Sequence, residues 1–539
     1  MITERPCWKD RVAGLSARLS PSHWLAAQHL QRKRDRVDRL LAKLSVAQNE
    51  HFQGTVFVDT TWDNPNYWAR YALLRRALGL SAGREIGIVG LSRKKFCRRT
   101  WSHFKPSAIL DRDAYLPPLK SRRSAAKALL AQAQNAEDIL KWDLPMGFPS
   151  DIFYDALLKL QRLAQVDLRD PRLEDWVAEG LCYLDAAQRL FEEETPQLYV
   201  ASHVNHYRYA SLVWAALLKK IPVILLYGDF GVLRFAKINH TTEIYDWVNR
   251  PRPADLAGLT PQKKARLIQI GSNYLEQRWG GKTDDIGSVY AYQQSKNHED
   301  HHSLCRRFGW DINKPIVGVY AGNSFDYPHG YGMRNFTDFQ DWIQTTLKTA
   351  IANPQVQWVF RAHPCDDWYR GVTLADLMAQ DPAPHVRLAP KGIHGRAFLK
   401  CLDGVVTVHG TIGIEAAASG KPVLLADRGW YDDAGFAQCP ETRQDYLDRL
   451  SQPWWENNDL ENAATNAQCF AGFFFGHPDW QTQLKLADDS AQDAIYDDIP
   501  RLFQSAGAAL DEEISLLRKW HDNDHRFYHI YKMRNDKDA

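Results

Sequence analysis

Short apolar runs alternate with longer amphipathic stretches along most of the chain. In the first half, Thr55–Asp59, Glu85–Gly90, Leu198–Ala201 and Val223–Leu226 have the length and composition of buried strands. The stretch between the last two, Tyr209–Lys220, has the periodicity of a helix. A strand, a helix and a second strand in this order predict a parallel βαβ unit, so we expect a mostly parallel sheet here.

The alternation resumes in the second half after a charged segment, His298–His302, which is predicted to be the linker between two domains. Strands are predicted at Ile316–Tyr320 and near residues 356–360, 405–408 and 423–426. Each of these strands ends in a polar turn. The second half is therefore also expected to form an α/β sheet with its loops gathered at the carboxyl edge.

Helical patterns flank the two strand-rich regions. Residues 22–48 predict a basic amphipathic helix, which either packs on its own domain or lies on a membrane. The pattern turns helical and aromatic from about Pro453, and a charged helix is predicted at Ala508–Trp520. A chain of 539 residues is too long for one hydrophobic core. The predicted parts are an N-terminal helical extension (1–50), a first Rossmann-like domain (51–300), a second Rossmann-like domain (301–480) and C-terminal helices (481–539).

The turn after residues 356–360 contains the first candidate functional residues, Arg361, His363 and Pro364. Proline biases the preceding residue toward extended geometry, so His363 is expected to stay at the strand end instead of entering a helix. An imidazole at this edge can donate a hydrogen bond to a phosphate oxygen. The alternatives are a capping histidine in an ordinary turn and, for Arg361, a surface ion pair.

The turn after the next predicted strand contains His409, Gly410 and Thr411, and it opens a small-residue helix at Ile414–Ser419. Free N–H groups at a helix start attract an anion, and Thr411 adds a hydroxyl donor. Glu415 lies four residues after Thr411, on the same helix face. We interpret these residues as a nucleotide site, with Thr411 toward the phosphate and Glu415 toward the ribose. A capping threonine and a solvated glutamate are the alternative.

Three motifs occur in a specific order: NSFDYP at Asn323–Pro328, RAHP at Arg361–Pro364 and HGTIGIE at His409–Glu415. Together they resemble GT-B glycosyltransferases that use CMP-activated acidic sugars, most closely the retaining β-Kdo transferases of bacterial capsule and lipopolysaccharide assembly. The resemblance is good over Pro315–Phe436 and looser over residues 54–300. It implies two Rossmann-like domains that face a cleft, the first binding a glycan acceptor and the second a CMP-sugar.

The same resemblance implies that Asp326 is the nucleophile. Its carboxylate would attack the anomeric carbon as CMP leaves, and the acceptor hydroxyl would then displace it, so the configuration is retained. An Asx-turn aspartate without catalytic duty is the alternative. His363 is the second catalytic candidate. The candidate donor-binding residues are Arg361, Pro364, His409, Gly410, Thr411 and Glu415.

The acceptor side of the site is expected near His203 and His206, which follow the strand Leu198–Ala201 at its carboxyl end. Similar turns lie near the acceptor in the family that the chain resembles. A polar loop that caps the next helix is the alternative. The general base for the acceptor stays open among four carboxylates at predicted strand ends: Asp59, Asp63, Asp229 and Glu243.

Composition adds expectations about partners and location. The net charge is only +2, but the segment Arg93–Lys127 has eleven Lys or Arg residues against two Asp residues. That segment can meet a phosphate-bearing acceptor or an anionic membrane, or it can be a solvated surface. Eight scattered cysteines fit a reducing cytoplasm. Without an 18-residue apolar run, membrane contact is expected to be peripheral, at the inner face of the cytoplasmic membrane.

No group of His, Cys and Asp residues has metal-ligand spacing. The leaving group of a CMP-sugar is a single phosphate, so no divalent ion is required in principle. We therefore expect a metal-independent transferase without a cofactor or a nucleic-acid partner, acting on a CMP-activated sugar and a glycan acceptor, with a lipid-linked glycan as one candidate. The donor is expected to be CMP-Kdo or a related CMP-ulosonic acid.

Three alternative functions remain open. An inverting, sialyltransferase-like enzyme would share the HP turn and CMP but would need a base in the first domain. A sugar epimerase or UDP-sugar transferase of the same fold would call for more basic residues around its two phosphates. A non-catalytic GT-B subunit that scaffolds polysaccharide assembly would bind no nucleotide.

Overall fold

The computed structural model describes residues 21–46, 52–61, 64–90, 94–227, 233–283, 288–293, 297–322, 325–363, 366, 370–456, 458–476 and 492–535. The chain divides into two compact units. Unit 1 consists of Met1–Leu110 and Pro478–Asp524, and unit 2 of Asp111–His477 and His525–Ala539. The domain boundaries predicted at residues 50, 300 and 480 stay a prediction.

Strands and helices alternate through most of the described residues. The strands are β1 (Thr55–Asp59), β2 (Arg84–Val89), β3 (Ala108–Asp111), β4 (Leu198–Ala201), β5 (Val223–Tyr227), β6 (Arg234–Ile238), β7 (Ile316–Tyr320), β8 (Gln357–Arg361), β9 (Val386–Leu388), β10 (Gly404–Thr407) and β11 (Val423–Leu425). The α-helices are α1 (Pro21–Leu44), α2 (Pro65–Leu78), α3 (Lys94–Phe104), α4 (Arg123–Leu130), α5 (Ser150–Gln161), α6 (Leu173–Glu193), α7 (Tyr207–Leu218), α8 (Pro253–Ala257), α9 (Pro261–Trp279), α10 (His301–Phe308), α11 (Phe339–Ile351), α12 (Leu374–Gln380), α13 (Gly395–Lys400), α14 (Ile412–Ala418), α15 (Arg443–Leu450), α16 (Leu460–Phe475), α17 (Gln492–His521) and α18 (Tyr528–Asn535).

In unit 1, β1 and β2 pair in parallel, with Asp59 opposite Ile88 at the carboxyl end. An aromatic cluster packs against this pair, and the rings of Trp68 and Trp101 lie 5.7 Å apart within it. Gly87 of β2 is required there, because a Cβ at that position would lie 2.0 Å from the Trp101 ring. The predicted strands and the amphipathic helix of this region are confirmed within a few residues at each end.

The long helix α17 also belongs to unit 1. Arg518 of α17 donates to the Ala77 carbonyl of α2 over 2.9 Å, and Asp511 pairs with Arg76 at 2.8 Å. The charged helix predicted at Ala508–Trp520 is therefore confirmed as part of a longer element. Its contacts join a late segment of the chain to a helix from its first hundred residues.

In unit 2, the predicted βαβ unit is confirmed, because β4 and β5 pair in parallel with α7 between them. The strand β6 pairs with β5 in the antiparallel direction. The β6 strand and the long helices α5 and α6 are elements that the sequence reading did not identify. Among these, α5 carries residues that contact the loop containing Asp326.

A second sheet in unit 2 has the strand order β11-β10-β7-β8-β9, and all its pairs are parallel. Tyr320 at the end of β7 lies opposite Arg361 at the end of β8, and the Ala321 N–H donates to the Arg361 carbonyl over 3.0 Å. The loops after β7, β8 and β10 therefore leave the sheet at one edge. The predicted α/β class with Rossmann-like parallel sheets is confirmed, and the cleft between two domains stays a prediction.

Helix α10 begins at His301, within the segment His298–His302 that is predicted to be the linker, and the linking role of this segment stays a prediction. The Asp300 side chain caps this helix by accepting from the Ser303 N–H over 2.8 Å. Asp three residues before Ser is a helix-start signal that the charge pattern obscured. The ring nitrogens of His301 lie 3.2 Å from the Cys401 carbonyl oxygen and 3.3 Å from that of Ile312. This histidine is thus part of a packed helix end.

Candidate functional site

Asp326 lies in the loop after β7, where its carboxylate forms an ion pair with Lys159 of helix α5. The Lys159 Nζ atom is 2.5 Å from Oδ1 of Asp326. It also lies 4.8 Å from the centroid of the Phe325 ring and 5.1 Å from that of Tyr327. The two charged side chains keep 29% and 35% of their surface exposed. The pair is thus held by neighbouring residues and is still open to a ligand.

Helix α5 holds the loop at two further points. Nδ1 of His329 lies 2.7 Å from the Asp155 carboxylate, whose second oxygen accepts from the Gly330 N–H over 3.0 Å. One residue earlier, the Tyr154 hydroxyl donates to Asp338 over 2.6 Å. Asp155 and Lys159 are four residues apart and therefore lie on the same helix face. This face positions the loop that carries Asp326.

Sequence reasoning missed Lys159 and Asp155 as site residues. The four-residue spacing of Asp151, Asp155 and Lys159 within one amphipathic helix was visible. Their partners, however, are 167 and 174 residues away along the chain for Lys159 and Asp155. Only the fold brings these residues together.

His329 and Asp155 form a buried pair. Burial by itself lowers the pKa of His329, but the charge of Asp155 and its hydrogen bond outweigh burial and raise that pKa above its usual value. The Nε2 atom of the same ring is buried and has no hydrogen-bond partner among the described residues. The ring is therefore anchored at one nitrogen only.

His363 and His409 follow β8 and β10, and both rings lie in the electrostatic field of Asp326. Burial lowers the pKa of each imidazole to about 4, and the negative charge of Asp326 opposes this shift in both. Both rings are therefore neutral near pH 7. The charge of the predicted nucleophile thus acts on both predicted histidines, while Pro364 lies outside the described residues.

The orientation of His409 is fixed by its neighbours. Its ring stacks on Tyr331, with centroids 4.9 Å apart and an interplanar angle of 17°, and Trp430 donates to its carbonyl over 2.7 Å. The Nε2 atom of His409 is buried without a partner among the described residues. The next carbonyl, that of Gly410, accepts from the Tyr431 hydroxyl over 2.5 Å. The loop is thus held while one ring nitrogen stays available.

Arg361 lies at the end of β8 and packs against aromatic rings. Its guanidinium carbon is 5.3 Å from the centroid of Phe398 and 5.8 Å from that of Tyr320. Nη2 donates to the Ile393 carbonyl over 3.2 Å, and Nη1 is buried without a hydrogen-bond partner in the described part of the chain. The surface ion pair considered from the sequence is not formed by the described residues.

Glu415 forms a buried ion pair within the protein. Arg278 of α9 donates from Nε to Oε1 over 2.8 Å, and the Tyr292 hydroxyl donates to Oε2. A second nitrogen of Arg278 donates to the Thr411 hydroxyl oxygen over 3.2 Å. Both carboxylate oxygens of Glu415 therefore have donors before any ligand arrives. A contact of Glu415 with ribose stays a prediction, and Arg278 and Tyr292 are partners that sequence reasoning missed.

On the predicted acceptor side, His206 caps helix α7. Its Nδ1 accepts from the Arg208 N–H over 3.2 Å, and its backbone has a φ of +70°, which is uncommon for a residue with a side chain. Burial, and then the charges of Arg208 and Lys159, lower its pKa well below the usual value. The Nε2 atom has no partner among the described residues. His206 therefore combines the capping role with a position in the field of Lys159.

His203 lies three residues before His206 in the same turn. Its Nδ1 is 2.9 Å from the Ser202 hydroxyl, and its ring centroid is 4.9 Å from that of Tyr209. These contacts place His203 at the carboxyl end of β4, as predicted. Its role toward an acceptor stays a prediction.

The four candidate bases divide into two groups. Asp63 and Asp229 lie outside the described residues. Asp59 is buried in unit 1 and accepts from the Thr61 hydroxyl over 2.6 Å, while Glu243 accepts from the Asn239 N–H over 2.7 Å and pairs with Arg526. The two described carboxylates thus already have structural partners.

The basic segment is partly neutralised by helix α6. Arg122 pairs with Asp185, and Arg123 pairs with Asp175 at 2.6 Å. These contacts favour the interpretation of this part of the segment as a solvated surface. None of the helices in the described ranges is long and apolar enough to cross a bilayer.

One group of potential metal ligands occurs in unit 1. Single oxygen or nitrogen atoms of Asp35, Asp38 and His103 lie within 4.8 Å of one another. Arg99 donates to Asp35 from Nε over 2.8 Å, and Thr100 donates to Asp38 over 2.8 Å. The contacts are those of an ion-pair cluster. Metal independence of the activity stays a prediction.

Comparison with known proteins gives one family match. Residues 332–453 match the family described as capsule polysaccharide biosynthesis protein. The matched region includes Arg361, His363 and the loop His409–Glu415, and it begins after Asp326. No curated protein sequence matches the chain.

Several solved structures show a distant similarity. The S. aureus MnaA–UDP structure is 10% identical over 78% of this chain and 93% of its own, with a TM-score of 0.27. The UDP-GlcNAc 2-epimerase of Neisseria meningitidis is 12% identical over 84% of this chain and 100% of its own, with a TM-score of 0.24. KpsC of Thermosulfurimonas dismutans, a β-Kdo 2,4 transferase, is 15% identical over 51% of this chain and 78% of its own, with a TM-score of 0.32.

These TM-scores are low, so the fold assignment rests on the sheet order and strand directions described above. The family match covers about a quarter of the chain. The comparisons therefore show that residues 332–453 are similar to capsule polysaccharide biosynthesis proteins.

Proposed function

We propose that the protein is a glycosyltransferase of surface polysaccharide biosynthesis that transfers Kdo or a related ulosonic acid from a CMP-sugar to a glycan acceptor. The observation that carries this proposal is the position of Asp326, a partly exposed carboxylate whose field reaches the neutral imidazoles of His363 and His409. The family match over residues 332–453 supports a role in capsule assembly. The structural similarity to a β-Kdo transferase is too distant to add to this argument.

Binding of the donor is assigned to groups with free hydrogen-bonding capacity. His409 offers Nε2 and Arg361 offers Nη1, and both atoms are buried without partners in the described part of the chain. A neutral imidazole can donate one N–H to a phosphate oxygen in the tautomer that carries its proton on Nε2, and a guanidinium adds a fixed positive charge. His363 is assigned to the same phosphate. The hydrogen bond from its ring to the phosphate oxygen would strengthen as negative charge develops on the leaving CMP.

The chemistry proposed for Asp326 is a double displacement. One carboxylate oxygen forms a bond to the anomeric carbon, while the bond from that carbon to the phosphate oxygen breaks and CMP leaves with the electron pair. The acceptor hydroxyl then attacks the same carbon and gives its proton to a base, and the carboxylate of Asp326 departs. Two inversions at one carbon retain the configuration of the sugar. No step in this sequence requires a metal ion.

The test is a binding and product experiment on the full chain. CMP, UDP and GDP are titrated in separate thermal-shift series, and a ligand at one hundred times its dissociation constant should stabilise the fold by about 2.7 kcal/mol. We expect CMP to stabilise most. Transfer from CMP-Kdo to a glycan acceptor is then followed by NMR, with the anomeric configuration retained in the product.

Each outcome of this experiment separates the proposal from an alternative. Inversion of configuration would favour a sialyltransferase-like mechanism that uses a base in the first domain and no nucleophile at Asp326. Stronger stabilisation by UDP would favour a UDP-sugar transferase or epimerase. No stabilisation by any nucleotide would favour a scaffold subunit.

A further inference from the structure

We propose that Lys159 recognises the carboxylate of the donor sugar and thereby selects 2-ulosonic acids over neutral sugars. This inference rests on the proposed function and deepens it, because it names the residue that sets the class of donor. The observation behind it is the ion pair between Lys159 and Asp326, which places the ammonium group of a part-exposed lysine side chain beside the proposed nucleophile.

The geometry of Lys159 suits a ligand contact. Its Nζ atom is 2.5 Å from Asp326 and lies near the rings of Phe325 and Tyr327. Aromatic faces attract an ammonium group, so they hold the charge near Asp326 without using its remaining hydrogen-bond donors. With 29% of its side chain exposed, Lys159 can accept a second anionic partner from the solvent side.

The helix that carries Lys159 is also fixed relative to the loop that carries Asp326. One helical turn earlier, Asp155 is bonded to His329 and to the Gly330 N–H. The helix and the loop are therefore clamped together, and the ammonium and the Asp326 carboxylate keep their relative position. A fixed cation loses less conformational entropy on binding than a freely moving surface lysine.

The chemistry of a 2-ulosonic acid explains why a cation is needed at this position. In such a sugar, the carboxylate is bonded directly to the anomeric carbon. A nucleophilic oxygen must come to roughly 3–3.5 Å from that carbon before reaction. The carboxylate of Asp326 and that of the sugar are then neighbours and repel each other. An ammonium that contacts both carboxylates offsets the repulsion, whereas a neutral sugar has no group that needs it.

The imidazoles near Asp326 do not supply this charge. His363 and His409 have pKa values lowered to about 4 by burial, so both rings are uncharged at neutral pH. Arg361 is the competing cation. Its guanidinium is bonded to the Ile393 carbonyl and packed against two rings, which favours its assignment to the phosphate.

The experiment compares an acid with an amide of the same donor. Two inert probes are used, a CMP-ulosonic acid with fluorine beside the anomeric carbon and its C1 carboxamide, and CMP alone is the reference ligand. Affinities are measured by calorimetry for wild type, Lys159→Met, Lys159→Gln and Lys159→Arg. Arg361→Met tests the competing cation, and Lys141→Met is the matched control, since Lys141 pairs with Asp138 at 3.2 Å on the surface.

We expect wild type and Lys141→Met to bind the acid at least about tenfold more tightly than the amide, as for a hydrogen bond between charged groups. Lys159→Met and Lys159→Gln should lose this preference and keep their affinity for CMP within about twofold. Lys159→Arg should retain most of the preference. Using two neutral replacements guards against a single variant that folds poorly, and the melting temperature of each variant is recorded.

Other results overturn the inference in distinguishable ways. If Lys159→Met keeps the wild-type preference for the acid, or if Arg361→Met alone abolishes it, Lys159 is not the recognising cation while the proposed function stands. Equal losses for CMP and for both probes would assign Lys159 a structural role only. If wild type binds neither CMP nor the acid probe, the proposed function fails, and the inference fails with it.

Discussion

His329 and Asp155 form a buried pair, 2.7 Å apart, that joins the Asp326 loop to helix α5. The two side chains are 4% and 2% exposed. Because the loop contains both His329 and the proposed nucleophile, the stability of this pair and the geometry of the site are expected to be linked.

The first prediction concerns the pH dependence of this pair. Asp155 raises the pKa of His329 above its usual value of about 6.5 against the opposing effect of burial. A raised pKa stabilises the fold in full below about pH 6.5, and the contribution is lost as the pH rises through the folded-state pKa. Asp155→Asn should therefore lower the free energy of unfolding by several kcal/mol at pH 6, about 3–5 for a broken buried pair, and by less at pH 9.

Denaturant titrations at pH 6 and pH 9 measure this difference. The control is Asp381→Asn, which changes an exposed carboxylate and should have a small effect at both values of pH. A loss that is equal at pH 6 and pH 9 would show that the charge of His329 does not contribute.

The second prediction concerns Asp326 itself. Asp326→Asn should keep the fold, because a part-exposed ion pair contributes at most about 1 kcal/mol. CMP affinity should change little, while transfer should fall by several orders of magnitude. Wild type quenched with CMP-Kdo and without acceptor should show one added sugar residue by intact-protein mass spectrometry, and Asp326→Asn should show none.

An adduct that persists in Asp326→Asn would assign the nucleophile elsewhere. Near-normal turnover of this variant would remove Asp326 from the mechanism altogether.

The third prediction concerns His363. Its pKa is lowered to about 4 by burial, so the ring is neutral over the physiological range, and we propose that it contacts phosphate as a hydrogen-bond donor. His363→Ala should weaken CMP binding by about tenfold, corresponding to one hydrogen bond to a charged group, and should slow transfer further. Calorimetry with CMP is the measurement, and His302→Ala is the exposed control.

The affinity of wild type for CMP should show no step that is due to His363 between pH 6 and pH 8. An affinity that rises steeply on acidification through pH 6.5, and that becomes flat in His363→Ala, would mean that the imidazole is protonated in the bound state.

The fourth prediction separates structure from ligand binding at Glu415. Glu415→Gln leaves the buried charge of Arg278 without its partner and should cost about 3–5 kcal/mol. Tyr292→Phe removes one donor from the same carboxylate and should cost about 1–3 kcal/mol. Glu276→Gln breaks an exposed pair with Arg396 and should cost less than about 1 kcal/mol.

Melting temperatures should follow this order. If Glu415→Gln melts like wild type but loses CMP affinity, the ribose contact expected from the sequence would be supported over the structural role.

Strands and strand-end turns were predictable from sequence because their signals are local. The buried runs Ile316–Tyr320 and Thr55–Asp59 coincide with β7 and β1, and the carboxyl edge brings His363 and His409 into the field of one carboxylate. The partners of these residues were not predictable. Arg278 pairs with Glu415, which is 137 residues away in the sequence, and Lys159 pairs with Asp326, which is 167 residues away in the sequence.

Capping residues were harder to interpret because one pattern serves two purposes. His206 caps α7, and the charge of Lys159 also acts on its ring, so the capping interpretation is confirmed while the acceptor role stays a prediction. The antiparallel strand β6 was missed, since its run Arg234–Ile238 contains two charged residues, although Arg234 is buried and donates to the carbonyl of Phe474.

The clamp between α5 and the Asp326 loop limits how this protein can be dissected. An excised fragment that covers residues 301–480 would contain the five-stranded sheet and the loop, but it would lack Tyr154, Asp155 and Lys159. His329 would then lose the carboxylate that holds its ring, and Asp326 would lose its cation. Such a fragment is unsuitable for building chimeric enzymes, because the geometry at Asp326 depends on a helix that lies more than 150 residues earlier in the chain.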